Sequence, residues 1–330
     1  MTNHFSRRDF MLATASLGAA GLPFSAHAQS GYPDRPIRVV VPFAPGGDGD
    51  IMARYWAKAA QPLSGYTLVI DNKAGAGGAI GAIEVARAKP DGYTLLLGTS
   101  TTQIVNPLAS AKPQYDGLKD FTMVSMVSAN PTCVVVHPSL PVNSLKELVA
   151  LARAQPGKLS YGSAGAGTIT NLTGELFKYV GGKLNITHVA YRGGGPAMAD
   201  VIAGHLQMGT PIMSSAVLAH HRAGRIRILA INSPKRLKAA PDIATAVEAG
   251  FDEMQVLVFN ALFAPAGTPR PALDALRNLG KKVLADASFV ADVEKAGAEL
   301  LILNDQDKFM RDEMARWSRL IKEMDFKIEA

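Results

Sequence analysis

Short apolar runs that end in glycine-containing turns, each followed by a helical pattern, recur along almost the whole chain and limit the possible folds most strongly. The first unit spans residues 36–50, where the β-branched run Ile37–Val41 stops at Pro42. A Pro/Gly turn follows, and a helical pattern begins near Asp50. Strands and helices that alternate at this spacing predict βαβ units with mostly parallel sheets. We therefore predict an α/β fold.

The turns after the predicted strands concentrate glycine and small hydroxyl residues. In parallel sheets these positions are the carboxyl ends of the strands, where open α/β folds bind ligands. Backbone N–H groups at a helix N-terminus attract an anion without a basic side chain. Glycines after strands can also be plain turn residues, but several such turns together favour a site for a small carboxylate. They lie at Gly46-Gly47, Gly98–Thr102, Gly162–Thr168 and Gly193–Gly195.

Two long extended stretches suggest how the chain is divided. Roughly 300 residues exceed one comfortable core, so two lobes are expected. Phe121–Val136, interrupted by Asn130-Pro131, and Gln255–Ala264 are the long extended runs. If both cross between the lobes they form a hinge, and the cleft between the lobes becomes the site. The predicted lobes are then residues 29–128 with 256–330, and residues 129–255.

The N-terminal residues 1–28 have the pattern of a twin-arginine signal peptide. Ser6–Met11 contains the arginine pair, and the Ala/Gly-rich segment Leu12–Phe24 follows. Ala26-His27-Ala28 supplies a small-x-small cleavage site, which predicts cleavage after Ala28 and export to the periplasm. The apolar segment is too short to span a bilayer. An uncleaved anchor or a disordered tail is the alternative.

Composition and motifs argue against several other functions. The formal net charge is +6, and loss of Arg7, Arg8 and Asp9 with the leader leaves +5. The basic residues form no run, so we expect no nucleic-acid partner. Gly75–Gly81 resembles a dinucleotide fingerprint but has Ile80 where the third glycine is due. No cofactor, metal site or catalytic residue is expected, and Cys133 in an apolar run predicts a buried thiol.

A set of short motifs, in one order over essentially the whole mature chain, resembles the Bug-type solute receptors of tripartite tricarboxylate transporters. The resemblance implies a type II periplasmic-binding-protein fold, a carboxylate ligand in the cleft and delivery to a two-component membrane permease. It also implies that backbone N–H groups and ordered water, more than arginines, hold one ligand carboxylate. The motifs are Pro42–Gly47, Asp71–Gly78, Pro90–Leu95, Tyr161–Gly165, Tyr191–Gly194 and Pro265–Pro269.

The glycine turns and the resemblance together give a set of predicted ligand-binding residues. They are Phe43, Ala44, Gly46, Gly47, Asp48, Asp50, Ser100, Thr101, Ser163, Ala164, Gly165, Gly167, Thr168, Asn171, Arg192, Gly193 and Thr210.

Three of these residues depart from the family's usual pattern. Asp48 is an added acid inside the first turn; it either caps the helix or reaches the cleft. In the cleft it would oppose a second anionic group or accept a hydrogen bond from a ligand hydroxyl or amine. Asn171 replaces a frequent His and either binds ligand or caps its helix. Arg192 replaces Lys and either pairs with the far carboxylate or is solvated.

Three functions remain open from the sequence. The first is a monomeric, non-catalytic receptor for a di- or tricarboxylate or an aromatic carboxylate. Phe43 would either stack on an aromatic ligand or merely line the wall of the site. The second is a hydrolase on the same fold that uses Ser100 or Ser163, although no elbow motif or evident base supports it. The third is a periplasmic sensor or adaptor for a membrane kinase.

Overall fold

Two five-stranded sheets form the framework of the protein, and the computed structural model describes residues 32–328. Both sheets lie in one compact unit that begins at Arg35. The predicted signal peptide and its cleavage after Ala28 lie outside the described residues. Between residues 32 and 328, no helix is both long and apolar enough to cross a membrane.

The elements follow the predicted alternation closely. The strands are β1 (Ile37–Val41), β2 (Leu68–Asn72), β3 (Thr94–Thr99), β4 (Phe121–Pro131), β5 (Cys133–Val136), β6 (Ser160–Ser163), β7 (Thr187–Ala190), β8 (Met208–Gly209), β9 (Arg227–Ile231) and β10 (Leu257–Pro265). The helices are α1 (Asp48–Ser64), α2 (Ala79–Ala86), α3 (Asn106–Ala109), α4 (Leu145–Ala154), α5 (Ile169–Val180), α6 (Gly194–Ile202), α7 (Ser215–Arg222), α8 (Arg270–Leu284), α9 (Ala287–Lys295) and α10 (Gln306–Met324). A 3-10 turn covers Ala76–Gly78, and a π-helical turn covers Thr101–Val105.

Each sheet has four strands in one direction and one in the other. The first sheet has the order β2-β1-β3-β10-β4, and β10 is antiparallel to both of its neighbours. The second sheet has the order β7-β6-β8-β5-β9, and here β5 is the antiparallel strand. The predicted α/β fold with mostly parallel sheets is therefore confirmed.

The chain passes between the sheets at two places. It first crosses at Thr132, between β4 and β5, and returns between β9 and β10. The expected break at Asn130-Pro131 is wrong, because both residues pair with β10. β4 is an edge strand, where a missing proline N–H does not disrupt a ladder.

The two crossings are hydrogen-bonded to each other at Thr132. The amide of Thr132 donates to the carbonyl of Val256 at 3.0 Å, and the amide of Asn232 donates to the carbonyl of Thr132 at 2.8 Å. The side chain of Asn232 also donates to Oγ1 of Thr132 at 2.8 Å. The two connections between the sheets are therefore tied together at one point.

Local sequence signals explain the ends of several helices. Ser144 accepts from the amide of Glu147 at 3.2 Å, as the predicted capping box requires. The Glu147 carboxylate, however, accepts from Asn143 rather than Ser144. Helix α1 begins at Asp48, two residues earlier than predicted, because Gly47 takes the extended N-cap conformation. Cys133 is buried as predicted, and burial raises the pKa of its thiol.

Candidate functional site

The turn after β1 presents an open helix N-terminus. Residues 44–48 are exposed, and Gly47 caps α1 without any side-chain hydrogen bond. The first amides of a helix have no partner within it, so they remain available to an acceptor. The ring of Phe43 is half-buried and lies against Gly49 and Gly78. The first amides of α1 are therefore backbone donors that lie close to the Phe43 ring.

Asp50 holds this turn in place. Its carboxylate accepts from the amide of Gly46 at 2.9 Å, from Nε of Arg54 at 3.0 Å and from the Asn72 side chain at 3.0 Å. Asn72 also donates to the carbonyl of Phe43 at 3.0 Å. Burial alone would raise the pKa of the Asp50 carboxyl. The hydrogen bonds from Arg54, Gly46 and Asn72 and the charge of Arg54 outweigh this effect, so the pKa lies below its ordinary value. The Asp50 carboxylate is therefore engaged in holding the turn and is not left free for a ligand.

Asp48 has a different environment. Its Oδ2 accepts from the Asn260 side chain at 2.8 Å, and the same Asn260 amide donates to Oγ of Ser128 at 3.0 Å. Asp48 is exposed as a residue, but the protein atoms near its carboxylate remove part of that group's hydration. This loss of hydration raises the pKa of Asp48, and the hydrogen bond from Asn260 opposes the shift. The added acid therefore faces a buried asparagine of β10.

The turn after β3 is a strand end and a π-helical turn rather than the predicted glycine loop. Gly98 lies inside β3, where a Cβ would come within 2.5 Å of the Phe263 ring, so close packing against β10 explains this glycine. The Ser100 hydroxyl donates to the carbonyl of Leu257 at 3.1 Å and accepts from the amide of Phe259 at 2.9 Å. Ser100 therefore fastens the turn to β10.

Thr101 makes the link to the second sheet. Its Oγ1 accepts from the amide of Ile169, the first residue of α5, at 3.2 Å. The side chain of Thr101 is buried. The turn after β3 and the start of α5 are therefore in direct contact.

The turn between β6 and α5 is closed by its own hydroxyl groups. Thr168 caps α5 by accepting from the amide of Asn171 at 3.3 Å and donates to the carbonyl of Gly165 at 2.7 Å. The amide of Ala164 donates to Oγ1 of Thr170 at 3.0 Å. Oγ1 of Thr210 donates to the carbonyl of Thr170 at 2.7 Å. These contacts fix the backbone of the turn.

Asn171 acts within the protein in the described structure. Its side chain accepts from the amide of Gly167 at 3.1 Å and donates to the hydroxyl of Tyr161 at 2.8 Å. The Tyr161 hydroxyl in turn donates to Glu175 at 2.7 Å. Asn171, the third residue of α5, therefore holds the glycine turn that precedes this helix.

His188 is a residue that the sequence did not assign to the site. Its Nε2 lies 2.7 Å from Oγ of Ser163, and its ring stacks on Tyr161 with centroids 4.8 Å apart. Burial lowers the pKa of His188, Glu175 raises it and Lys178 lowers it further, so the pKa lies below its ordinary value. Ser163 is only 2% exposed. The contact between His188 and Ser163 positions the turn, and the Ser163 hydroxyl is buried.

The turn before α6 is the second open helix N-terminus. Gly193 caps α6 without a side-chain hydrogen bond, at a φ of 118° that favours glycine. Its amide donates to the carbonyl of Ala164 at 3.1 Å, which joins the two turns of the second sheet. Open space surrounds Gly193, Gly194 and Gly195. Arg192 is exposed, and it forms no ion pair with any residue of the described chain.

The predicted residues thus fall into two groups. Side chains already used within the protein are those of Asp50, Ser100, Thr101, Ser163, Thr168, Asn171 and Thr210. The groups left to meet a ligand are the first backbone amides of α1 and α6, the Phe43 ring, and the charges of Asp48 and Arg192. Three residues near these turns were not predicted from the sequence, namely Asn72, His188 and Asn260. Asn260 is a lone asparagine inside the apolar run of β10, which is a recognisable signal of a buried polar contact.

A cavity of about 660 Å³ lies to one side of these turns, between α5 and the last described residues. Its charged lining is largely paired within the protein, since Lys178 lies 2.7 Å from Glu175 and Lys327 lies 2.7 Å from Asp325. We place the candidate site at the starts of α1 and α6 instead, because their first amides are unpaired and the turns before them are open to solvent. Across residues 32–328, no group of three or more His, Cys, Asp or Glu side chains is arranged to hold a metal ion.

Comparison with known proteins agrees with this architecture. Residues 52–326 match the family described as "Tripartite tricarboxylate transporter family receptor", or TctC. Protein BugT of Bordetella pertussis is 35% identical over 334 residues, which cover 100% of this chain and 99% of BugT.

Solved structures give the same picture. An R. palustris protein with adipate is 32% identical, with a TM-score of 0.81 over 90% of this chain and 99% of that one. MatC from Rhodopseudomonas palustris with bound malate is 28% identical, with a TM-score of 0.79 over 88% of this chain and 100% of MatC. The expected resemblance to Bug-type receptors is therefore confirmed. The chain belongs to the TctC family of tripartite tricarboxylate transporter receptors, which are periplasmic substrate-binding proteins and not enzymes.

Proposed function

We propose that this protein is a periplasmic receptor that binds a small carboxylate between two lobes and delivers it to a tripartite tricarboxylate transporter permease. The lobes would be residues 29–128 with 256–330, and residues 129–255. The observation that carries the proposal is the contact between Thr101 and Ile169, which brings turns of both sheets together at their strand ends. Two open helix N-termini lie in turns at these strand ends, one from each sheet.

The binding chemistry follows from these helix ends. α1 and α6 are 17 and 9 residues long, so each carries a partial positive charge at its first turn. A carboxylate oxygen accepts hydrogen bonds from the exposed amides, and glycine at the cap lets it approach the backbone closely. Each such interaction with a charged acceptor is worth about 2 kcal/mol. The exposed Arg192 adds a cation beside α6.

Relatives support the class of ligand. A protein 32% identical carries adipate and one 28% identical carries malate, and both are small aliphatic carboxylates. Ligand binding would shift the protein toward a closed arrangement by virtue of tighter binding to that arrangement. The junction at Thr132, where the two crossings are hydrogen-bonded, would serve as the hinge. We also propose that the mature chain is a monomer.

The test is calorimetric titration of the mature protein with aliphatic and aromatic carboxylates. Gly47→Val and Gly194→Val add bulk at the two helix ends, and neither glycine has a positive φ. Each should weaken binding of the best acid at least about tenfold, because amides at both ends contribute. Ala287→Val is a matched control at the exposed start of α9. Unchanged affinity in both glycine variants would place the ligand elsewhere.

The route of export is tested separately. We propose that the twin-arginine signal directs the chain to the periplasm and that cleavage follows Ala28. Intact mass of the protein from the periplasmic fraction should begin at Gln29. Replacement of Arg7 and Arg8 by lysine should retain the precursor in the cytoplasm. Export that persists without the arginine pair would show that another route is used.

A further inference from the structure

We propose that Asp48 and Arg192 give the site a polarity, so that the receptor prefers a monocarboxylate with a hydroxyl or ammonium group at its far end over a dicarboxylate. This proposal rests on the function proposed above and specifies the ligand class of the same site. The carboxylate would lie toward Arg192 and the start of α6. The donor group would lie toward Asp48 and the start of α1.

Asp48 lies at a helix end that would attract an anion. It is the first residue of α1, directly after the open cap at Gly47, and it is exposed. Its carboxylate therefore occupies the helix end where a ligand anion would otherwise be drawn. The second carboxylate of a dicarboxylate ligand, if placed there, would meet the negative charge of Asp48 as well as the amides. Repulsion between two like charges in contact strongly disfavours binding.

No described residue neutralises the charge of Asp48. Asp48 forms no ion pair with any described residue, whereas Asp50 in the same turn is paired with Arg54 at 3.0 Å. The partner of Asp48 is the neutral Asn260, which is only 2% exposed and is itself held by Ser128. The charge of Asp48 therefore remains for a ligand to complement.

Asn260 orients the Asp48 carboxylate through one of its two oxygens. Asn260 engages Oδ2 at 2.8 Å, and no described residue donates to Oδ1. A carboxylate that is oriented through one oxygen and free at the other accepts readily from a ligand hydroxyl or ammonium. The turn at residues 192–195, which follows a strand of the second sheet, has open space, an open helix end and a guanidinium without an ion-pair partner among the described residues. The two turns thus carry opposite charges.

A purely structural role for Asp48 is the competing explanation. An acidic residue in the first turn of a helix stabilises the helix through its dipole. In that case Asp48 would affect stability and leave the choice of ligand unchanged. The experiment must therefore compare ligands of equal length and not only measure affinity for one acid.

The experiment uses two matched series in calorimetric titrations of the mature protein. The six-carbon series is adipate, 6-hydroxyhexanoate, 6-aminohexanoate and hexanoate. The four-carbon series is succinate, 4-hydroxybutyrate, 4-aminobutyrate and butyrate. In the series that binds, the hydroxy or amino acid should bind at least about tenfold more tightly than the diacid. Asp48→Asn should reduce that ratio at least about tenfold by improving diacid binding.

Asp307→Asn is the matched control, because Asp307 is an exposed acid in the first turn of α10. It should leave the ranking of acids as in the wild type. A wild-type preference for the diacid, or a ranking that Asp48→Asn leaves unchanged, would overturn the polarity while the carboxylate receptor stands. If no acid of either series binds but another carboxylate does, the polarity is wrong and the receptor stands; if no aliphatic or aromatic carboxylate binds, both proposals are wrong.

Discussion

The backbone amide of Ile169 donates to Oγ1 of Thr101 at 3.2 Å, although the two residues are 68 positions apart. Thr101 follows a strand of the first sheet, and Ile169 begins a helix that follows a strand of the second. The contact brings the two sets of strand ends to one place. A ligand bound there would touch turns from both sheets.

Thr101→Val tests this contact. Valine keeps the volume of threonine but removes the acceptor, so the Ile169 amide lacks a partner when the two turns meet. Solvent can satisfy that amide when they separate, and the closed arrangement is therefore disfavoured by about 1 kcal/mol. We expect ligand affinity to fall about fivefold by calorimetry. Thr187→Val, on the exposed face of β7, is the control and should bind normally.

Asp50→Asn tests the anchor of the first turn. The Asp50 side chain is 4% exposed and accepts from Gly46, Arg54 and Asn72. An amide cannot accept from all three donors, so we expect a loss of about 2 kcal/mol in the free energy of urea unfolding. Asp292→Asn breaks an ion pair with the exposed Lys58 and should cost less than about 0.5 kcal/mol.

The pH dependence of the Asp50 effect has a defined sign. The pKa of Asp50 is lowered in the folded protein, so its contribution is present above 3.8, the ordinary value. It is lost as the pH falls through the lowered folded value. The difference in stability between wild type and Asp50→Asn should therefore close in acid. A difference that is constant with pH would show that the charge is not the cause.

Asp48→Asn should have the opposite effect on stability. Burial raises the pKa of Asp48 and the Asn260 hydrogen bond only partly offsets this, so the folded protein holds this proton more tightly than the unfolded chain. The resulting stability is present below 3.8 and is lost as the pH rises through the raised value. We expect Asp48→Asn to melt at a higher temperature near pH 7, with a gain that disappears in acid. A lower melting temperature at neutral pH would show that the helix dipole dominates.

His188 should make the protein sensitive to mild acid. Burial lowers its pKa below 6.5, so the stability linked to neutral His188 is present above 6.5 and is lost as the pH falls through the folded value. Thermal melts at successive pH values should show this loss in the wild type. His188→Gln should melt with a smaller dependence over that range, and His205→Gln, which removes an exposed histidine, is the control. Equal slopes in both variants would contradict the assignment.

Local patterns in the sequence were sufficient for the elements and for the kind of turn that joins them. Ile37–Val41, Leu145–Ala154 and Gln306–Met324 form close to where their apolar spacing and caps predict. The glycine turn before α1 is open, as its composition suggested. The turn after β3 was misread, because Gly98 serves close packing against Phe263 and Ser100 bonds to β10. Both partners lie more than a hundred residues away in the chain.

The sequence by itself determined the alternation of strands and helices and the family. These depend on side-chain periodicity and on caps within a few residues, which are local properties. Only the tertiary structure decided which polar side chains are already used and which charges stay unpaired. Asp48 meets Asn260 across 212 positions of sequence, and no local pattern encodes a hydrogen bond between residues that only the packed sheets bring together.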